Sequence, residues 1–106
     1  MEAYEYDEVH QAQIAGGVRY LQFLNAGSMS LGLYALPAGS EDLQTPHLED
    51  EIYYIVSGQG AIVVAGERRD VVPGSIVFVA RDVEHRFVDI TEDLDILVFF
   101  APQHTR

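Results

Sequence analysis

The 106-residue chain contains neither cysteine nor lysine, and each absence excludes a class of chemistry. Without cysteine, the chain has no disulfides, no thiolate nucleophiles and no thiolate-bound zinc or iron–sulfur clusters. Without lysine, no side-chain amine is present to form a Schiff base with a carbonyl substrate. The candidates for chemistry therefore lie among the histidines, the carboxylates and other polar side chains.

Positive charge is also scarce, since six basic residues face 17 acidic ones and give a formal net charge of −11. Such a surface repels DNA, RNA and anionic membranes, so we expect no nucleic-acid or membrane partner. No apolar run approaches the roughly 18 residues of a membrane span. The acidic N-terminus lacks the apolar segment of a secretory signal. These features predict a cytoplasmic protein.

Apolar residues are plentiful, at 48% of the chain, which is enough for one core without disulfides. The length predicts a single domain over residues 1–106. A weak helical pattern over residues 4–15 ends at two glycines. From about residue 18 to 102, some eight short apolar segments alternate with turn signals, including a predicted turn at residues 57–60 and separate strands at 85–90 and 94–101. This pattern predicts an antiparallel β sandwich or barrel with a short N-terminal helix.

Two of the segments, residues 52–56 and 96–100, are apolar on both faces of the predicted strand. One face can fill the interior of a barrel. The other face needs cover from a second sheet, the N-terminal segment or a partner subunit. For so small a chain, a homodimer that buries a sheet face is our expectation.

Two histidines and a glutamate stand where strands begin, beside proline or glycine turns. His47 and Glu51 precede the apolar segment at 52–56, and His85 begins a later strand. Imidazole and carboxylate groups together suit first-row divalent metals, and an incomplete protein shell leaves room for a substrate. The three residues are therefore candidate metal ligands.

Alternation along the strands places further residues beside these candidates. A period of two puts Tyr53 on the face of Glu51, and Phe87 and Asp89 on the face of His85. One lumen is thus predicted to hold the ligands together with Tyr53 and Phe87 as pocket residues. Because an unpaired carboxylate inside a barrel is costly, Glu51 needs a metal or an arginine there, or else points outward.

The two segments resemble the paired signature of the cupin superfamily, in its small, single-domain, conserved β-barrel form. The first family motif reads Gly, five or more residues, His-x-His, three or four residues, Glu, six residues, Gly. The second reads Gly, five residues, Pro-x-Gly, two residues, His, three residues, Asn. The matching residues are His47, Glu51 and Gly58 in the first motif, and Gly74 and His85 in the second. The resemblance spans roughly residues 30–102 and implies an all-β, double-stranded β-helix (jelly-roll) barrel with a metal site in its lumen.

The chain departs from the family pattern at the first ligand, where Thr45 replaces a histidine. Threonine is a poor ligand for divalent transition metals. Gln44 would supply an amide oxygen if the strand bulges before Pro46, and Thr45, water or the more remote Asp42 are the alternatives. The resemblance therefore implies Fe, Mn, Ni, Cu or Zn held by His47, Glu51 and His85, with Gln44 as the candidate fourth ligand. The second motif also departs, with Ala80, Asp82 and Asp89 in place of Pro, Gly and Asn.

Three functions fit this sequence. The first is a metal-dependent enzyme, dioxygenase-like or isomerase-like, that acts on a small organic molecule in the lumen, with Glu51 as a general base if it leaves the metal. The second is a barrel that binds a small ligand or a metal without turnover. The third is a degenerate cupin with a structural role, which Thr45 favours; fold alone does not choose among them. His10 and His104, near the chain ends, are expected to be exposed.

Overall fold

The computed structural model describes residues 1–104 and contains one helix and six strands in that range. The elements are α1 Tyr6–Gly16, β1 Tyr20–Asn25, β2 Ser30–Leu36, β3 Asp50–Val64, β4 Glu67–Val71, β5 Ile76–Val79 and β6 His85–Ala101. The chain is an all-β jelly-roll barrel with a short N-terminal helix, as the sequence predicts. No helix among residues 1–104 is long and apolar enough to cross a bilayer.

The strands pair antiparallel in the order β1-β2-β6-β3-β4, and β5 pairs with β3 outside this path. β3 and β6 run alongside each other from Asp50↔Ala101 to Val64↔His85. The first part of β3 also pairs with β5, and its last part pairs with β4. The two long strands therefore tie the two ends of the barrel together.

The predicted turn at residues 57–60 is wrong, because β3 continues through it as a bent strand. The pairing of β3 with β6 shifts register between Ile55 and Ser57, between Ser57 and Gln59, and between Gln59 and Ala61. Such bulges bend a strand and increase its twist without ending it. β6 likewise continues through residues 91–93, so that two long strands replace four predicted short ones.

The helix ends where two glycines predict it. Gly17 adopts a left-handed conformation with φ +64°, and its N–H reaches the carbonyls of Gln13 and Ile14. Glycine is favoured at this position because it has no Cβ. The Gln13 amide then donates to the carbonyls of Arg19 and Leu33, at 2.8 and 2.9 Å, which fixes α1 against β1 and β2.

The core lies inside the barrel and follows the alternation of the strands. In β3, Glu51, Tyr53 and Ile55 are buried, as the period of two predicts. In β6 the alternation holds for His85 and Phe87 but fails at Asp89, which has φ +50° and is exposed. The prediction that Asp89 shares the face of His85 is therefore wrong, because a left-handed residue interrupts the pleat. The largest fully buried apolar side chains are Tyr53, Phe87, Leu33, Leu36, Ile55, Ile62, Leu94 and Ile96.

Candidate metal centre

His47, Glu51 and His85 converge inside one end of the barrel. His85 Nε2 lies 2.8 Å from Glu51 Oε1, and His47 Nε2 lies 3.9 Å from the same oxygen. The centroids of the two imidazole rings are 5.2 Å apart. Potential ligand atoms of all three residues lie within 4.8 Å of one another, so a small adjustment would bring them around one cation.

The β5–β6 connection brings His85 to this point. The Asp82 N–H donates to the His47 carbonyl at 2.7 Å, and the Arg81 N–H donates to Asp50 Oδ1 at 2.9 Å. Asp82 has φ +63°, a left-handed turn that the family pattern usually gives to glycine. These two hydrogen bonds tie the loop before His85 to the segment around His47 and Asp50.

Three buried polar atoms at this point lack hydrogen bonds within residues 1–104. They are both carboxylate oxygens of Glu51 and Nε2 of His85. Although Nε2 and Oε1 are close, they lack hydrogen-bond geometry. Buried polar atoms in native proteins nearly always have a partner, and a buried carboxylate is especially costly without one. A divalent cation bound by these atoms would satisfy all three, so the residues present fit a metal.

The other ring nitrogen of His85 fixes the orientation of the imidazole. His85 Nδ1 lies 2.9 Å from the Val83 carbonyl and donates to it. This contact leaves the Nε2 lone pair directed toward Glu51, the arrangement usual for metal-binding histidines. Burial acts to lower the pKa of His85, but the adjoining Glu51 carboxylate and the Val83 carbonyl leave that pKa above its ordinary value. A metal at Nε2 therefore competes with a proton.

His47 is held differently from His85. Burial lowers the pKa of His47 below its ordinary value, against the opposing attraction of the Glu51 carboxylate. The neutral imidazole that results is the form that binds metals. Its Nε2 atom lies 3.0 Å from Gln44 Oε1. A cation at this position would replace the proton between these two atoms and take both as ligands.

Gln44 directs its amide oxygen into the site. The oxygen accepts a hydrogen bond from the Tyr53 hydroxyl at 3.0 Å, while the amide nitrogen donates to Asp42 Oδ2 at 2.7 Å. Burial, followed by the charge of Glu51, raises the pKa of Tyr53 well above its ordinary value, so this hydroxyl keeps the proton that it donates. Thr45, the alternative fourth ligand, is exposed.

Asp42 is the residue that anchors this arrangement, and sequence reasoning treated it only as a remote ligand. The carboxylate is buried and accepts from the Tyr34 hydroxyl at 2.7 Å and from the Phe87 backbone N–H at 2.8 Å. With Gln44 as a third donor, its oxygens are occupied. Asp42 therefore sets which way the Gln44 amide points.

A cavity of about 200 Å³ opens beside His47. It is lined by Tyr20, Tyr34, Gln44, His47, Tyr53, Val98, Phe100 and His104. Tyr53, a predicted pocket residue, is in this lining. Phe87 is not, and its ring packs edge-on against Tyr53 at 5.0 Å between centroids. The tyrosines at 20 and 34 and Phe100 come from three different strands, so no local pattern in the sequence indicates that they meet.

His104 is not exposed, so the sequence-based expectation for it is wrong. Its side chain keeps only 11% of its surface exposed, and Nδ1 lies 2.7 Å from Glu49 Oε1. The ring stacks on Phe100 at 4.3 Å between centroids. Its partner Glu49 is buried two residues from both His47 and Glu51, but nothing in the sequence indicates that His104 reaches it.

Comparisons with known proteins agree with this fold. The family model described as "Cupin domain" matches residues 32–100. An uncharacterised protein of Streptomyces coelicolor is 48% identical over 102 residues, which cover 96% of this chain and 97% of that protein.

Solved structures show the same architecture at low sequence identity. The TT1209 protein of Thermus thermophilus has a TM-score of 0.76 and 20% identity, over 97% of this chain and 99% of that one. Salicylate 1,2-dioxygenase of Pseudoaminobacter salicylatoxidans has a TM-score of 0.78 and 16% identity, over 92% of this chain and 32% of the other. KdgF of a Halomonas species has a TM-score of 0.72 and 20% identity, over 78% and 76% of the two chains. Since the family model spans most of the barrel that carries the site, this chain belongs to the cupin domain family.

Proposed function

We propose that the protein binds one divalent transition metal through His47, Glu51 and His85, with the Gln44 amide oxygen as fourth ligand. The observation that carries this proposal is the buried cluster of Glu51 and His85 atoms without hydrogen bonds among residues 1–104. Bound there, Fe, Mn, Ni, Cu or Zn would supply Lewis acidity or, for the redox-active metals, electron transfer.

The cavity beside His47 is the proposed place of a small organic ligand. Its aromatic walls exclude water and favour a compact, partly apolar molecule. Tyr34 and Tyr53 carry hydroxyl groups at this wall, and the pKa of each is raised by burial, so both remain donors at neutral pH. Glu51 is the candidate general base if a ligand displaces it from the metal, since its carboxylate is 2% exposed and neither oxygen makes a hydrogen bond in the described chain.

Metal binding is tested by titrating Zn²⁺ into metal-free protein by calorimetry. We expect His85→Ala to weaken binding at least tenfold, because it removes a ligand and leaves Glu51 buried without a partner. His10→Ala is the matched control, since His10 lies on α1. Equal affinities of the wild type and the His85→Ala variant would overturn the proposed site.

We propose further that the metal-loaded protein turns over its ligand, in a dioxygenase-like or isomerase-like reaction. Support comes from the open cavity next to the ligand set and from the same fold in a salicylate 1,2-dioxygenase. Oxygen consumption by the iron-loaded protein with catechols and β-diketones tests the first reaction, and NMR of enolisable sugars or acids tests the second. Glu51→Gln should abolish either reaction.

Binding without turnover is the second candidate, and Gln44 favours it. A neutral amide oxygen is a weaker donor to transition metals than the imidazole usual at this place in the family. If the protein binds without turnover, calorimetry should detect a small aromatic acid bound by the iron-loaded protein. The concentrations of oxygen and of the acid should then stay constant. If the protein binds neither a metal nor a small ligand, the remaining candidate is a degenerate cupin with a structural role.

We propose a homodimer that buries the outer face of the sheet. On this face Leu31, Phe99, Ile52 and Phe78 stand side by side across β2, β6, β3 and β5. Ile76 and Phe78 are 70% and 61% exposed, and exposed apolar rows of this extent mark interfaces. The neighbouring row continues the surface with Tyr54 and Leu97.

Sedimentation at micromolar concentration tests the dimer. Phe78→Asp should give a monomer, because it buries a charge in the interface. Leu48→Asp is the control, since Leu48 is an equally exposed leucine in the loop before β3. A wild-type protein that sediments as a monomer would contradict the proposed dimer.

The cytoplasmic location stays a prediction from composition.

A further inference from the structure

A second cluster of potential metal ligands lies on the other side of His47. His47, Glu49 and His104 offer ligand atoms that lie within 4.8 Å of one another. Glu49 is a buried carboxylate, and His104 Nδ1 at 2.7 Å is its partner in the described chain. A buried carboxylate needs a cation beside it, either a protonated imidazole or a metal.

The sheet register brings these residues together. Asp50 pairs with Ala101, so Glu49, one residue earlier, lies opposite the segment that follows β6. Glu49, in the bend before β3, is buried, whereas its neighbours Leu48 and Asp50 are exposed. His104 reaches the carboxylate three residues beyond the end of β6.

His104 is held in place by three further contacts. Its backbone N–H donates to Ser30 Oγ at 3.0 Å, and its ring stacks on Phe100 with planes 13° apart. The His47 ring stands edge-on to it, with centroids 5.1 Å apart and planes at 89°. A ring fixed on two sides loses little conformational freedom when it binds a metal.

We infer that His47, Glu49 and His104 form an outer position for a divalent transition metal at the mouth of the cavity. Two imidazoles and a carboxylate, with no thiolate, suit Zn²⁺ or its first-row neighbours better than Ca²⁺. Metal–ligand bonds of about 2.0–2.1 Å put tetrahedral ligand atoms roughly 3.3 Å apart, so the three residues need only small shifts to enclose an ion. The excess of 17 acidic over six basic residues raises the local concentration of cations.

The outer position goes beyond the proposed lumen site and depends on it only through the shared His47. Nε2 of His47 faces Gln44 and Glu51, and imidazole carries a second ring nitrogen. The outer set needs neither Glu51 nor His85. It therefore persists in variants in which the lumen site is disabled.

The test uses metal-free, full-length protein with Zn²⁺ alone as the probe. In His85→Ala, which disables the lumen site, calorimetry should still detect Zn²⁺ binding. Adding His104→Ala should weaken that residual binding at least tenfold, and adding Glu49→Gln should do the same. Adding His10→Ala, the matched control, should leave it unchanged. Equal Zn²⁺ affinities of His85→Ala and His85→Ala/His104→Ala would overturn the outer position.

Two further measurements keep the result decisive. Circular dichroism of each metal-free variant checks the fold, and Glu51→Gln replaces His85→Ala as the background if the latter unfolds. In that background Co²⁺ should shift the NMR signals of the His104 ring protons, whereas Ca²⁺ should not. Unshifted His104 signals would contradict the inference even if Zn²⁺ binds elsewhere. A wrong assignment of the lumen site would give a different result, namely equal Zn²⁺ affinities of the wild type and His85→Ala.

Discussion

At the scale of single residues, the proposed fourth ligand, Gln44, depends on a carboxylate that is not itself a proposed ligand. Asp42 accepts from the Gln44 amide nitrogen at 2.7 Å and thereby turns the amide oxygen toward His47. Groups that orient metal ligands in this way typically change metal affinity by about 10–100-fold when they are removed. The proposed role of Gln44 as a ligand therefore requires that Asp42 keep accepting from its amide nitrogen.

Asp42→Asn tests this dependence. Asp42 Oδ2 accepts from both the Gln44 amide nitrogen and the Phe87 N–H, and Oδ1 accepts from the Tyr34 hydroxyl. Asparagine offers one neutral acceptor oxygen for these three donors, and bonds to a neutral acceptor are weaker than bonds to a carboxylate, so the hold on the Gln44 amide should weaken. We expect Zn²⁺ affinity to fall about 10–100-fold by calorimetry. Asp70→Asn, in an exposed ion pair with Arg68, is the control. An unchanged affinity in Asp42→Asn would show that Gln44 is not a ligand.

The sequence indicates the ligand candidates because each stands in a short local motif. It does not indicate the roles of Asp42 and His104, because their partners are distant. Asp42 bonds to Phe87, 45 residues later, and His104 bonds to Glu49, 55 residues earlier. These residues meet only when the barrel closes, so no short sequence motif contains both members of a pair. His104 also lies near the chain end, where exposure is the usual expectation.

At the scale of elements, β3 and β6 are long strands that bend where the sequence suggests a turn. Glycines and polar residues at 57–60 are typical of hairpin loops, and the same residues are typical of bulges. The hydrogen-bonded partner decides between the two, and β6 bulges alongside β3 here. A hairpin turn does occur a few residues later, between β3 and β4, where Gly66 adopts φ +83°.

Gly58, in the bend of β3, can be tested against Gly66, a glycine of similar backbone conformation in the β3–β4 turn. Both have positive φ, at +97° and +83°, so alanine is strained at each by about 1–3 kcal/mol. A Cβ at Gly58 would also overlap the Asp93 carbonyl, whereas a Cβ at Gly66 meets nothing within 4 Å. Gly58→Ala should therefore lower the free energy of unfolding by at least about 1 kcal/mol more than Gly66→Ala, measured in urea. Equal losses would mean that the bend tolerates a side chain.

At the scale of the whole molecule, the proposed metal site would link metal binding, protonation and folding. The pKa of His85 is raised in the folded protein, so the proton on His85 stabilises the metal-free fold below the ordinary value of 6.5. That contribution is lost as the pH rises through the raised pKa. A metal at the proposed site would replace the same proton, so its affinity should grow over the same pH interval. The pKa of His47 is lowered by burial, so His47 loses its proton at a lower pH than His85 does.

Zn²⁺ should therefore stabilise the protein more at pH 8 than at pH 6. At a free concentration of a hundred times the dissociation constant, binding raises the free energy of unfolding by about 2.7 kcal/mol. Below the raised pKa of His85, one proton must leave for each ion bound, so the affinity falls up to tenfold per pH unit and the stabilisation shrinks with it. Urea denaturation with and without Zn²⁺ at both pH values measures the difference. In His85→Ala the difference should become markedly smaller, because the proton that competes with the metal is gone. If the wild-type increment were the same at both pH values, His85 would not be exchanging a proton for the metal.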